Sequence, residues 1–115
     1  MDKNAIQDAL LSLGEKRMQA AILSVLMDQS PVTTQEIMEA TGLRQPEVSI
    51  GVRELKQRGW LEATPIPREG KGRPMNQYSR RFQRGEFLAH YKSRAEAIRQ
   101  KALEAESTLQ DLDIL

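Results

Sequence analysis

The chain has 115 residues, of which 39% are hydrophobic and 29% are charged, and it contains no cysteine. This length suffices for one small domain and an additional segment. The absence of cysteine excludes disulfides, cysteine-ligated zinc, iron–sulfur clusters and a cysteine nucleophile, and we expect a cytoplasmic protein. No apolar stretch approaches the ~20 residues needed to cross a bilayer, so we expect no membrane span.

The net charge of +1 conceals an uneven distribution of charge along the sequence. Residues 44–84 contain ten Lys and Arg against four Asp and Glu, whereas residues 1–43 contain three against six and residues 85–115 contain four against six. A basic central region is typical of a protein that binds nucleic-acid phosphates with one face. The alternative is a charged loop that is merely hydrated.

Two helices are predicted at the start of the chain. Asp2 caps the first of them, which extends over residues 3–13 and ends at Gly14. Apolar periodicity predicts the second helix over about residues 15–27. The apolar face of the first helix, which we expect to pack against a dimerisation stem, consists of Ile6, Leu10 and Leu13.

A helix-turn-helix follows. Thr33 and Glu36 have the spacing of a capping box, which predicts a short helix that ends at Gly42. The next helix begins almost at once, with Gln45 as its cap, and ends at Gly59. Two helices with so short a connection cannot lie antiparallel in a bundle, so we expect them to cross steeply. The apolar residues predicted on the inner face of the second helix are Val48, Val52 and Leu55.

The hydrophobic period changes to that of β-strands after this helix. Residues 60–64 and 75–79 predict the two strands of a hairpin, and Val32 is a candidate for a short additional edge strand. The connection over residues 65–74 is rich in glycine and basic residues, which indicates an exposed hairpin tip, or wing. Its cationic side chains are Arg68, Lys71 and Arg73.

The last part of the chain has the apolar spacing of a coiled coil. We therefore divide the chain into a domain of residues 1–80 and a helix of residues 81–115. At ~1.5 Å per residue the apolar stripe is too long for a small core to cover, so we predict a partner helix. The alternative is that the stripe folds back over its own domain. The stripe consists of Leu88, Tyr91, Ala95, Ile98, Ala102, Ala105, Leu109 and Leu112.

This order of elements resembles the winged helix-turn-helix transcriptional regulators of the MarR, ArsR and TrmB-like kinds. The resemblance covers roughly residues 16–80 and implies a fold that is mainly α with a small β-hairpin (α+β), and the apolar spacing adds a long C-terminal coiled-coil helix. It also implies regulation of transcription by binding of double-stranded DNA. With the partner helix predicted for the apolar stripe, we expect a homodimer, and we expect no enzymatic activity. The motifs that carry the resemblance are TQEIMEATG (34–42), QPEVS (45–49), VREL (52–55), RGWL (58–61) and GKGRP (70–74), which leads to Tyr78.

The resemblance implies that the helix from Gln45 enters the major groove. Glutamine can bind adenine, arginine can bind guanine, and an isoleucine can contact the thymine methyl group. The alternative is an amphipathic helix whose outer face is only hydrated. The residues predicted to contact bases are Gln45, Pro46, Ser49, Ile50 and Arg53, and those predicted to contact phosphates are Thr34, Arg44 and Lys56.

The wing contains the sequence KGRP over residues 71–74, which resembles the core of an AT-hook. This resemblance implies that Arg73 enters the minor groove of an A·T-rich flank, and Arg68 and Lys71 belong to the same tip. Arg80 and Arg81 follow and are predicted to bind the flanking DNA backbone. The alternatives are a generic Gly/Pro turn for the tip and ion pairs with acidic residues for the two arginines.

No enzymatic or metal site is predicted. The sequence lacks a Ser/His/Asp set, a dense carboxylate cluster and a phosphate-binding loop. His90 is the single histidine, and an exposed or interface role is favoured over metal binding. The expected partners are therefore DNA, as a pseudo-palindrome with A·T-rich flanks, and a second copy of the chain, without a cofactor. The competing hypothesis is a winged-helix module that binds other proteins in a transcription, replication or segregation assembly.

Overall fold

The computed structural model describes residues 2–67 and 75–114, which form two compact units, Met1–Phe82 and Gln83–Leu115. Within these ranges the fold is mainly helical with a small sheet, as predicted. The predicted wing residues Arg68, Lys71 and Arg73 lie outside the described residues. The elements are α1 (Lys3–Ser12), α2 (Arg17–Asp28), β1 (Val32–Thr33), α3 (Thr34–Thr41), α4 (Gln45–Gln57), β2 (Leu61–Ile66), β3 (Met75–Arg80) and α5 (Arg84–Gln110), followed by a 3-10 turn (Asp111–Ile114).

Hydrogen bonds and backbone conformations of neighbouring residues determine where α1 and α3 begin and where α3 ends. The Asp2 carboxylate accepts a hydrogen bond of 2.9 Å from the Asn4 N–H and so caps α1. At the start of α3, the Glu36 carboxylate accepts from the Thr33 N–H, and the Thr33 hydroxyl accepts from the Glu36 N–H. Gly42 has a φ of 74° and ends α3 in the left-handed conformation. The predicted caps of α1 and α3 are therefore confirmed.

The core of the first unit is built around α2, which packs against α1, α3 and α4. Residues 19–27 of α2 are all buried, and the predicted inner face of α4 is buried as well. Leu10, which was predicted to lie at a dimer interface, is only 3% exposed because α1 packs on α2, so it contributes to this core. Ile6 and Leu13 are half-buried and keep part of their apolar surface accessible.

The sheet has three antiparallel strands in the order β1-β3-β2. Val32 pairs with Tyr78, so the predicted edge strand is present. The hairpin strands pair from Leu61 with Arg80 to Ile66 with Met75, so β2 extends further toward the tip than residues 60–64. β2 is an edge strand, which can accommodate a proline such as Pro65.

The second unit consists of α5 and the 3-10 turn. At its start, the Glu86 carboxylate accepts a hydrogen bond of 3.2 Å from the Gln83 N–H. The α-helix ends at Gln110, so Leu112 lies in the 3-10 turn rather than on the continuous helix that was predicted. Phe87 and Tyr91 are buried, with ring centroids 4.9 Å apart.

The apolar stripe of α5 is exposed beyond Tyr91. Ala95 is half-buried, and every later member of the stripe with a described side chain is exposed. Ile98 is 42% exposed and Leu109 is 64% exposed. No helix in the described ranges combines the length and the apolarity that a membrane span requires.

Candidate nucleic-acid interface

The candidate interface is the outer face of α4. One face of this helix is fixed in the core by Val48, Val52 and Leu55, so the opposite face is held rigidly outward. Ile50 is 43% exposed on that outer face, where an apolar side chain is available for contact with a partner. The predicted base-contacting and phosphate-contacting residues of α4, all of them exposed, are Gln45, Pro46, Ser49, Ile50, Arg53 and Lys56.

The start of α4 differs by one residue from the prediction. Arg44, not Gln45, is the N-cap residue, and its backbone N–H donates a hydrogen bond of 3.0 Å to the Glu47 carboxylate. A glutamate in the first turn therefore satisfies the helix start without a side-chain cap. The Arg44 side chain is 85% exposed, and its Nε lies 3.6 Å from the Glu47 carboxylate.

This contact also changes the titration of Glu47. The hydrogen bond from the Arg44 backbone lowers the pKa of Glu47, and the positive charges of Arg44 and Arg17 lower it further. A carboxylate with a lowered pKa stabilises the fold above its ordinary pKa of 4.5, and that stabilisation is lost as the pH falls through the lower value. The helix start is therefore fully stabilised at neutral pH.

Arg17 is a cation near this helix start that was not predicted as a site residue. It is the exposed first residue of α2, and its charge acts on Glu47 at the start of α4. The two residues are distant in sequence and come together because α2 packs on α4. A sequence signal was available, since an arginine in the first turn of a helix is unfavourable for the helix dipole.

Thr34 and Arg80 are tied to the fold. The Thr34 hydroxyl lies 3.5 Å from the Tyr78 hydroxyl, which connects the first residue of α3 to β3. Arg80 Nη1 donates to the carbonyl oxygens of Leu26 and Met27, each at 3.1 Å. These carbonyls belong to the last turn of α2, where helix carbonyls lack partners within the helix. Arg80 therefore has a structural contact that closes α2, and its predicted contact with the DNA backbone stays a prediction.

Arg81 lies close to an acidic residue, as the alternative to a DNA contact predicts. Its side chain is 60% exposed, and its Nε lies 4.0 Å from the Glu62 carboxylate on β2. An exposed ion pair at this distance contributes little stability and opens readily. Arg81 is therefore available to a partner more readily than Arg80.

Replacement of Arg80 by methionine is expected to lower the free energy of unfolding by about 1–3 kcal/mol. Methionine keeps an apolar side chain of similar length but cannot donate to the two α2 carbonyls. Urea unfolding followed by circular dichroism measures the loss. Arg81→Met is the matched control, with an expected change within about 0.5 kcal/mol, and equal losses in the two variants would contradict the assignment.

The described residues bring no metal site together. In that part of the chain, no group of three or more His, Asp and Glu side chains is placed to hold a metal ion. His90 is exposed, and its ring lies edge-on to Tyr91 with centroids 4.8 Å apart.

The model of the MarR family matches residues 13–72, which is more than half of the chain. The chain belongs to the MarR family. The matched residues include α2, α3, α4 and β2, and so they contain the helix-turn-helix and the whole outer face of α4. The resemblance to winged-helix regulators is thereby confirmed.

Solved structures share the fold of this MarR-family chain. A MarR family transcription regulator is 23% identical with a TM-score of 0.55, and the match covers 91% of this chain and 66% of that one. TrmBL2, an archaeal chromatin protein described as showing a novel mode of DNA binding, is 18% identical with a TM-score of 0.59, over 96% of this chain and 40% of that one. The ST1889 protein from Sulfolobus tokodaii is 17% identical with a TM-score of 0.61, over 89% and 99%.

These similarities establish the fold. The chain spans less than two thirds of the length of the first two structures. A comparison with curated proteins gave no significant match.

Proposed function

We propose that this MarR-family chain is a sequence-specific double-stranded DNA-binding transcriptional regulator that acts as a homodimer, with α4 in the major groove. The observation that carries the proposal is the outer face of α4. Its polar, cationic and apolar side chains are exposed, while the opposite face of the same helix is buried. A rigid helix with such a face has the shape and chemistry of a recognition helix.

The proposed base contacts lie on successive turns of α4. Gln45, Ser49 and Arg53 are four residues apart and therefore lie along one side of the helix. Glutamine can form paired hydrogen bonds with adenine, and arginine can do so with guanine. Ile50 lies beside this row and can contact the methyl group of thymine.

The proposed phosphate contacts surround this row. Lys56 and Arg44 are exposed at opposite ends of α4, and Arg17 lies near its start. Arg81 is exposed at the end of the hairpin. Such contacts orient the protein on the duplex without reading its sequence. The assignment of Arg68, Lys71 and Arg73 to the minor groove of an A·T-rich flank continues to rest on the sequence, because they lie outside the described residues.

The proposed dimer is formed by α5. Its apolar stripe is exposed from Ile98 onward, and an isolated helix in water would leave that surface uncovered. The partly exposed Ile6 and Leu13 of α1 provide a second apolar surface for the same interface. A two-fold dimer would present two α4 helices to successive major grooves ~34 Å apart, which requires a pseudo-palindromic site.

The test begins with selection of fragments bound from genomic DNA at moderate salt, followed by equilibrium binding to the selected site. Ser49→Ala and Arg53→Ala are each expected to weaken binding to that site by about 1–3 kcal/mol and to relax base preference at particular positions. Lys56→Gln should instead weaken binding to all sequences similarly and reduce the log–log salt slope by about 0.9 per lost phosphate contact.

Lys3→Gln on α1 is the matched control, because it removes one positive charge outside the proposed DNA-contacting surface, and equal sedimentation of this variant and the wild-type chain excludes an effect on the dimer. Its affinity for the selected site should equal that of the wild-type chain within about twofold. Absence of DNA binding by the folded wild-type chain at low salt would overturn the proposal and favour a protein-interaction module. Equal losses on all sequences from Ser49→Ala, Arg53→Ala and Lys56→Gln would overturn the proposed division between base and phosphate contacts.

A further inference from the structure

The order of charges along α5 is the reverse of what an isolated helix favours. The helix dipole stabilises acidic side chains near the N-terminus and basic side chains near the C-terminus. The last turn of α5 contains no basic residue. Residues 84–101 contain five Lys and Arg against two Asp and Glu, whereas residues 102–114 contain four Asp and Glu and no Lys or Arg.

The same reversal appears along one edge of the exposed apolar stripe. Arg99 and Glu106 are seven residues apart, so they lie two turns apart on the same side of α5. Both are exposed, and the Arg99 side chain reaches only Glu96 on its own helix among the described ion pairs. Lys92 continues this edge seven residues before Arg99, whereas Asp113 lies in the 3-10 turn beyond the end of α5. The edge is therefore basic in the first half and acidic in the second.

We propose that two copies of α5 pair antiparallel, with Arg99 of each copy facing Glu106 of the partner subunit. This inference rests on the homodimer of the proposed function. Alignment of the apolar stripes places the two-fold axis between residues 103 and 104, so that Arg99 and the partner's Glu106 lie only ~3 Å apart along the axis. The basic half of each helix then lies beside the acidic half of the other. The reversed charge order then becomes favourable. The partner helix supplies acidic side chains beside the N-terminal half of each helix and basic side chains beside its C-terminal half.

This register also matches the apolar residues. Ile98 packs against the partner's Leu109, and Ala102 packs against the partner's Ala105, with each contact occurring twice by symmetry. The alanines lie at the centre, where small side chains allow the two helices to approach closely. One register therefore accommodates both the apolar seam and the Arg99–Glu106 contacts beside it.

A parallel pair would be less favourable. In parallel coiled coils, a residue that flanks the seam meets the partner's residue five positions further along the opposite flank. Arg94 would then lie beside the partner's Arg99, and this repulsion would offset the attraction between Lys101 and the partner's Glu106. The acidic second halves of both helices would also lie side by side. Like charges at such positions oppose association.

Disulfide cross-linking tests the orientation directly, because the natural chain has no cysteine. Ile98→Cys and Leu109→Cys are prepared separately, oxidised alone and as an equimolar mixture, and analysed on non-reducing gels. Antiparallel pairing predicts cross-linked dimers in the mixture only. The cysteine introduced at position 98 of one chain would face the cysteine introduced at position 109 of the other across the seam, whereas two cysteines at the same position would lie ~16 Å apart along the axis. Cross-linking of each variant with itself would overturn the inference in favour of a parallel pair.

Sedimentation of the same reduced samples separates this inference from the proposed function. A dimer that forms no disulfide in the mixture would overturn the antiparallel register and leave the homodimer intact. A monomer at micromolar concentration would overturn the homodimer itself.

A charge exchange provides an independent measurement. Arg99→Glu is expected to raise the dimer dissociation constant about tenfold at low salt, because each of two opposite-charge contacts becomes a like-charge contact. The double variant R99E/E106R should restore the wild-type value, since both contacts are again complementary. Both variants carry the same repulsion between the introduced glutamate and Glu96, so recovery would show that the loss arises between the two chains. Tighter association of R99E would overturn the inference, because removal of the Arg94–Arg99 repulsion is expected only of a parallel pair.

Discussion

Replacement of Arg58 by alanine is expected to lower the free energy of unfolding by about 3 kcal/mol or more. The Glu15 side chain is only 1% exposed, and its two carboxylate oxygens accept hydrogen bonds of 2.9 and 3.1 Å from Arg58 Nη1. Removal of the guanidinium leaves a buried carboxylate with much of its compensation lost. Removal of the cation that compensates a buried carboxylate is among the most damaging single changes that a small domain can undergo.

Urea unfolding at neutral pH measures this loss, with Lys56→Ala as the control. Lys56 is an exposed residue in the last turn of α4, two residues before Arg58, so its removal should change stability by no more than about 0.5 kcal/mol. The double variant E15M/R58M should recover part of the loss, because apolar side chains of similar size remove the buried charge together with its partner. If the Arg58→Ala and Lys56→Ala variants were equally stable, the buried Glu15 carboxylate would not need the contact with Arg58 for its compensation.

The features that sequence predicted correctly are those that neighbouring residues determine. The capping box of Thr33 and Glu36 spans three residues, and Gly42 ends its helix through its own backbone conformation. The inner face of α4 was predicted because apolar residues at helical spacing indicate a buried face, whichever elements pack against it. The same periodicity identifies the outer face and with it most of the candidate interface.

The features that sequence did not predict depend on residues far apart in the chain. Glu15 was predicted to begin the second helix, but it lies before α2, and its partner Arg58 is 43 residues away. Arg80 contacts carbonyls 53 and 54 residues away, which no local pattern indicates. Gln19 is fully buried on α2, although its side-chain amide has no hydrogen-bond partner among the described residues. Polar side chains such as these are expected at the surface until the packing of the helices is known.

Replacement of Gly51 by alanine is expected to lower the free energy of unfolding by about 2 kcal/mol, although alanine favours helix formation over glycine by about 1 kcal/mol. Gly51 lies where α4 packs on α2. A Cβ atom added there would overlap Ile22 Cδ1 and would lie 3.6 Å from Met18 Cβ. Ile22 has no exposed surface, so its terminal methyl group cannot move aside into solvent.

The variant Ile22→Val turns this contact into a test, because valine lacks the Cδ1 atom that the new Cβ would overlap. In the I22V background, Gly51→Ala should raise stability by up to about 1 kcal/mol, since the helix propensity of alanine is then the dominant effect. The two effects together give a coupling energy of about 3 kcal/mol, which chemical denaturation of the four proteins measures as a double-mutant cycle. Gly85→Ala is the control, because an added Cβ at that position meets no described atom within 4 Å and should not destabilise. Equal effects of Gly51→Ala in both backgrounds would show that the loss has a cause other than the Ile22 methyl group.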